Sequence, residues 1–265
     1  MTVNISFSKP KILVMPPFEH QLPAPAWFRV AIMPADATYP VHSHPWREFV
    51  YSFSGVMEVK MKREHLTAPS HYGVWLPPEV VHEGLNRYAA THCSLYLMPE
   101  LCAGLPTEAC TLEINGLIRS ILEHLHHNPL TLPPQPEDFT LLQVLRDQLK
   151  RAPRTKNFLP YSDDPLLKKV MEQIEHNLGS TLSLAQLANQ FGTTIRTLNR
   201  KSQLALGMPI NEWRQRLRIV RAMQLLEKGE KVESIAFEMG YSSASAFIAM
   251  FHRLTGRTPA QAVSG

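Results

Sequence analysis

The sequence predicts two domains of opposite class, an all-β N-terminal half and an all-α C-terminal domain, joined by linker helices. Three observations carry that reading. Between Leu182 and Pro259 one pattern occurs twice: Leu187-Ala188, three residues, Gly192, then Leu198 with Gly207 nine positions on; and Ile235-Ala236, three residues, Gly240, then Phe247 with Gly256 nine positions on. Ahead of it, residues 11–109 hold short apolar or alternating runs punctuated by Pro, Gly, Ser and Asn, as strands and turns do. Between the two lie apolar stripes at helical spacing, broken by prolines. The expected boundaries are 1–109, 110–160 and 161–265.

The strand runs are Ile12 to Met15, Phe28 to Met33, Phe49 to Phe53, Val56 to Met61, Val74 to Leu76 and Cys93 to Met98, with Ser54-Gly55 as a hairpin turn. Many short strands at this spacing predict an antiparallel sandwich or barrel. Inside the region lie His42-Ser43-His44, Glu48, and much later Pro77-Pro78 and His82. His42, His44 and Glu48 share parity, so one continuous strand would point all three to one face. Three imidazoles and a carboxylate suit zinc, iron, nickel or manganese. The plainer reading is a set of hydrogen-bonded core histidines.

Leu112 to His127 has a wide apolar face at helical period, and its histidine-rich tail reads as a solvated helix end rather than a metal site. Pro129, Pro133, Pro134 and Pro136 break the chain, and Asp138 is expected to cap a helix running to Leu149. Arg151 to Lys156 reads as a basic linker. Asp163-Asp164-Pro165 opens the next helix, which Gly179 is expected to stop, and Ser183 with Gln186 forms a capping box for the first repeat.

Each repeat reads as helix, tight turn, helix, with Ala188 or Ala236 allowing close approach and Gly192 or Gly240 taking the turn. Pro209 to Lys228 runs between them without a breaker. About twenty helical residues span roughly 30 Å, close to the roughly 34 Å between successive major grooves on one face of DNA. In the first reading helix, Thr194 to Leu206, Ile195, Leu198 and Leu206 are expected inward and Arg196, Asn199, Arg200 and Gln203 outward. Arginine reads guanine and asparagine adenine through paired hydrogen bonds. The second, Ser243 to Leu254, offers only Ala244, Ser245, Ala246 and Ala249, so the first motif should specify sequence and the second position the protein on phosphates.

Charge follows this division. Residues 1–109 hold 8 Lys/Arg against 9 Asp/Glu, residues 110–161 hold 6 against 5, and residues 162–265 hold 13 against 9. A basic C-terminal excess fits a nucleic-acid partner. No apolar run is long enough to cross a bilayer, and Met1 to Pro10 lacks the apolar core of a signal peptide, so the expected compartment is the cytoplasm. Cys93, Cys102 and Cys110, odd in number and without Cys-x-x-Cys spacing, are expected to be reduced, packed thiols.

The C-terminal stretch resembles the DNA-binding domain of the AraC/XylS family of bacterial transcription regulators. The residues that carry it are Arg218-Ile219-Val220-Arg221-Ala222 with Leu225-Leu226, then Ile235-Ala236, Gly240-Tyr241, Ser245, Phe247, Phe251, Gly256 and Thr258-Pro259. It departs from the family at Lys201-Ser202, where two apolar residues are usual; Leu204 and Leu206 are the candidates to compensate. Residues 30–98 are similar to the cupin-type sensor domain of such regulators, a jelly-roll barrel. There Asp36 and Glu79 stand where glycines are usual, which either adds negative charge near the site or marks changed backbone requirements. The resemblance implies an effector-controlled, sequence-specific regulator rather than an enzyme. Its implied partners are double-stranded DNA, a small-molecule effector, a second copy bound through residues 110–150 and RNA polymerase; ordinary packing of the 110–150 helices against the sandwich is the alternative. One divalent metal on His42, His44, Glu48 and His82 is the implied cofactor. The rival classes are a metal-dependent cupin enzyme and a chromosome-binding architectural protein.

Overall fold

The structure, a computed structural model, describes residues 11–13, 18, 21–53, 56–62, 65–86, 90–131, 135–155 and 157–263. The expected hairpin turn at Ser54-Gly55, Val14 and Met15 of the first strand run, Pro133, Pro134 and Lys156 lie outside the described residues. The chain divides into two compact units, Met1–Asn157 and Phe158–Gly265.

The first unit holds eleven strands among the described residues: β1 (Lys11–Ile12), β2 (Ala26–Met33), β3 (Ala37–His42), β4 (Arg47–Ser52), β5 (Val56–Met61), β6 (His65–Pro69), β7 (Tyr72–Leu76), β8 (His82–Asn86), β9 (Ala90–Leu97), β10 (Cys110–Glu113) and β11 (Arg154–Thr155). They form a five-stranded sheet, β1-β3-β8-β5-β6, and a six-stranded sheet, β11-β10-β7-β4-β9-β2. The β1–β3 pair is parallel and the other pairs are antiparallel.

Alternation along the six-stranded sheet explains why both its faces are apolar or buried. Phe28, Phe49, Tyr51, Trp75, Cys93 and Leu95 project to one side, where α1 (Gly116–His127) and α2 (Pro136–Arg151) cover them with Ile118, Leu122, Leu125, Leu145 and Leu149. Their neighbours in sequence, Glu48, Val50, Ser52, His92, Ser94 and Tyr96, project to the other side and line a cavity. The chain reaches Asn157 before leaving the unit, and its amide oxygen accepts from Thr67 N at 2.9 Å while its amide nitrogen donates to His65 O.

Several local expectations are corrected. Leu112 lies in β10, and the helix begins only at Gly116 because Asn115 caps it by accepting from Ile118 N. Asp138 does cap its helix, though from inside the first turn: it accepts from Gln135 N at 2.8 Å as the third residue of a capping box. β6, β10 and β11 were not expected as strands. The thiols are packed: Cys93 and Cys102 are buried, and burial pushes Cys110 up to about 11.

The second unit is helical: α3 (Pro165–His176), α4 (Leu184–Gln190), α5 (Ile195–Leu206), α6 (Ile210–Glu227), α7 (Val232–Glu238), α8 (Ala244–Thr255) and α9 (Pro259–Val263). Ala188 and Ala236 are buried, and Gly192 and Gly240 take left-handed turns at φ 61° and 77°. Helix α3 ends at His176, three residues before Gly179. Gly179 serves instead as a contact point: a β-carbon there would meet Glu238 O at 2.6 Å. Among the described residues no helix is long and apolar enough to cross a membrane.

Candidate functional site

The four expected ligands do not share one strand. His42 ends β3, His44 lies in the connection, Glu48 is the second residue of β4 and His82 opens β8. The parity argument is therefore wrong, since the chain turns between His42 and Glu48. The residues meet nonetheless: His42 and His82 are register partners on adjacent strands, and His42, His44 and His82 place ligand atoms within 4.8 Å of one another. Glu48 Oε2 lies 3.0 Å from His44 Nε2 and 3.6 Å from His82 Nε2.

The tautomers follow from the backbone. The Nδ1 atoms face carbonyl oxygens, His42 to Pro40 at 2.8 Å, His44 to Trp46 at 3.0 Å and His82 to Val80 at 2.8 Å. A carbonyl only accepts, so Nδ1 carries the proton and Nε2 is left as a lone pair in each neutral ring. His44 Nε2, 3.0 Å from Glu48 Oε2, donates to that carboxylate only when the ring carries a second proton. Trp46 stacks on His44 with the rings 5° from parallel and fixes its orientation. Burial tends to raise the Glu48 carboxyl, but hydrogen bonds from His44 and His82 hold it well below the usual carboxylate range. Burial lowers the His42 ring, and the neighbouring His82 lowers it further. Burial also opposes charge on His82, yet Glu48 leaves it raised.

Asp36 and Glu79 both stand in turns. Both side chains are exposed and both backbones are left-handed, at φ 54° and 60°. The backbone requirement is unchanged: it is the one glycine normally meets, and here two acidic residues meet it. Glu79 N donates to His44 O at 2.8 Å, so the second of these turns fastens the His44 segment. His42, Glu48 and His82 line one part of a cavity with an empty volume of about 620 Å³, partly open to solvent. Val50, Met57, Val59 and Leu76 form its apolar part and Arg29, Tyr39 and His92 a second polar end. Nothing in the linear sequence singled out Arg29 or His92; both face inward because β2 and β9 alternate.

In the second unit Arg196, Arg200 and Gln203 are exposed on α5 and Asn199 is half-buried. Among the described residues Arg196 and Arg200 have no hydrogen-bond or ion-pair partner, whereas Gln203 Nε2 donates to Gly207 O at 3.0 Å. Ile195 is 41% exposed and Leu204 is 77% exposed, so neither anchors the helix as expected. Ser202 does. It is fully buried and donates to Met208 O at 2.6 Å, while Lys201 pairs with Asp164, the cap of α3. The departure at Lys201-Ser202 thus exchanges apolar packing for polar ties. On α8, Ser245, Ala246 and Ala249 are exposed and Ala244 is half-buried.

Not every arginine is available to an external partner. Arg214 donates to Leu182 O, Arg216 to Phe158 O and to Glu212, and the buried Arg218 to Leu178 O and Ser180 O.

A family profile described as a helix-turn-helix domain matches residues 187–264. The HTH-type transcriptional regulator NimR of Escherichia coli K12 is 31% identical over 229 residues, covering 86% of this chain and 84% of that protein. The chain belongs to the AraC/XylS family of helix-turn-helix transcription regulators. Among solved structures, an apo ToxT variant from Vibrio cholerae overlays 93% of this chain and 99% of its own with a TM-score of 0.39 at 12% identity. A regulator with an AraC-type DNA-binding domain from Chromobacterium violaceum covers 38% of this chain and 90% of its own, with a TM-score of 0.35 at 27% identity. As an AraC-type regulator the chain binds DNA, and the duplicated motif with its α6 strut is the part that does so.

Proposed function

We propose that this chain is a sequence-specific regulator whose DNA binding is governed by a divalent metal or small-molecule ligand in a cupin-like jelly-roll N-terminal domain. The observation that carries the reading is the set of three histidines whose Nδ1 atoms face backbone carbonyls and whose ligand atoms come within 4.8 Å of one another beside the buried Glu48 carboxylate. Carbonyl-oriented imidazoles are what metal sites use to fix the ligating nitrogen. His42, His44 and His82 would hold zinc, iron, nickel or manganese with Glu48 as the anionic ligand, and the metal would supply a Lewis-acid position for an effector's donor atom. The two-sheet arrangement, with the ligands and an apolar cavity between the sheets, supports the jelly-roll reading.

In this reading Arg196, Asn199, Arg200 and Gln203 read bases, and Ala244, Ser245, Ala246 and Ala249 seat the second motif in the adjacent groove. Leu117 on α1 and Val144 on α2, 50% and 41% exposed, support a dimer through residues 110–150. The test is equilibrium dialysis of untagged protein against zinc, nickel or iron. About one equivalent should be retained, and His44→Ala should lose it together with the metal-dependent rise in Tm. Equal retention by wild type and His44→Ala would contradict the assignment.

A further inference from the structure

The cavity has a second polar end that the metal ligands do not use. We propose that Arg29 there is the recognition element for the effector, and that the effector is an organic monocarboxylate, its head on Arg29 and its apolar body among Val50, Met57, Val59 and Leu76. This rests on the reading of the N-terminal domain as an effector pocket.

Register places the residues. On the cavity face of β4, β9 and β2, Glu48 stands opposite Tyr96, and one pleat repeat further along Val50 stands opposite Ser94, which is itself opposite Arg29. Arg29 is therefore offset from the Glu48 row by roughly 7 Å along the strands. Across the strands it stands two away from Glu48, roughly 10 Å. Among the described residues no ion pair joins Arg29 to Glu48, whose carboxylate is held by His44 and His82.

Among the described residues no carboxylate pairs with Arg29. Its guanidinium lies over the Tyr39 ring, 5.6 Å from the centroid, and its neighbours are phenols rather than anions. A partly desolvated guanidinium without a counter-charge is costly, and an incoming anion recovers that cost. The fixed fork of arginine matches a carboxylate through two parallel hydrogen bonds. His92, buried beside it, has an Nδ1 with no partner in the fold. Burial and the Arg29 charge hold its ring down to about 4, so it stays neutral and free to donate to the same head group. Met33, Val50, Met57, Val59, Leu76 and Leu85 give the wall apolar surface for a hydrocarbon or aromatic body, and the carboxylates Glu48 and Glu58, which also line the cavity, oppose a second negative charge.

The experiment is calorimetric titration of the full chain with straight-chain acids from acetate to octanoate and with benzoate, each against its neutral amide. Wild type should bind the best acid at least about tenfold more tightly than its amide. Arg29→Met should remove that preference, and Arg29→Lys should keep part of it. Should Arg29→Met fail to fold, Arg29→Gln with its Tm measured first serves the same comparison. Amides binding as well as acids, or a preference that survives Arg29→Met, would overturn the role of Arg29 while leaving the pocket reading intact. Binding of neither acids nor amides to wild type would count against the pocket reading itself, and with it this inference.

Discussion

Gly179 and Gly240 touch backbone to backbone: a β-carbon on Gly240 would lie 2.4 Å from the carbonyl oxygen of Gly179. The turn of the second motif is thereby packed onto the segment after α3. Gly192, the equivalent turn of the first motif, has nothing within 4 Å of its β-carbon position. Two glycines with the same backbone role therefore differ in what replaces them. Gly192→Ala should cost about 1 kcal/mol, the left-handed penalty alone. Gly240→Ala should cost several times that, since backbone atoms must also move. Urea unfolding of the two variants checks this, and equal costs would contradict the packing.

Arg218 and Arg200 make a second contrast. The first is buried and tied to Leu178 O and Ser180 O, with Tyr241 stacked against it at 5.2 Å; the second is exposed and without a partner among the described residues. Arg218→Ala should lower the Tm and weaken all DNA alike. Arg200→Ala should leave the Tm unchanged, cost roughly 1–3 kcal/mol on the cognate site and relax preference at one position. Base substitutions under α5 should accordingly cost more than those under α8, and a binding matrix with equal information in both half-sites would contradict that asymmetry.

Acid should weaken the β domain through His71. It is buried with neither ring nitrogen hydrogen-bonded, and burial, aided by the Arg119 charge, lowers it to about 4. The folded pKa lies below the unfolded value near 6.5, so the unfolded chain binds the extra proton between those limits. This contribution is complete above pH 6.5 and lost as pH falls toward 4. His71→Leu should remove roughly 3 kcal/mol of that pH dependence at most. Parallel wild-type and variant stability curves from pH 7 to 4.5 would rule the effect out.

The second unit was legible because its information is local: capping residues, turn glycines and helical period all lie within a few residues of what they control. The strands were legible only where apolar runs were long. β8 and β10 carry polar or mixed sequences, His82–Asn86 and Cys110–Glu113, and owe their form to partners distant in the chain. His42, His44, Glu48 and His82 were singled out by the cupin-like pattern and by strand parity; parity fails, and the residues meet because His42 pairs with His82 across adjacent strands. Arg29 and His92 were invisible because facing a shared cavity is a property of two strands, not of either sequence. Asp36 and Glu79 show the opposite case, where the residue type suggested charge and the backbone needed only a left-handed turn.

The most direct test of ligand-governed DNA binding is the affinity of the full chain for a cognate site selected from random DNA, measured with and without zinc or nickel. Metal should shift the wild-type affinity for the selected site several-fold, leave affinity for random DNA unchanged, and have no effect on His44→Ala. Superimposable wild-type isotherms with metal present and absent, on protein shown to have bound it, would contradict the account.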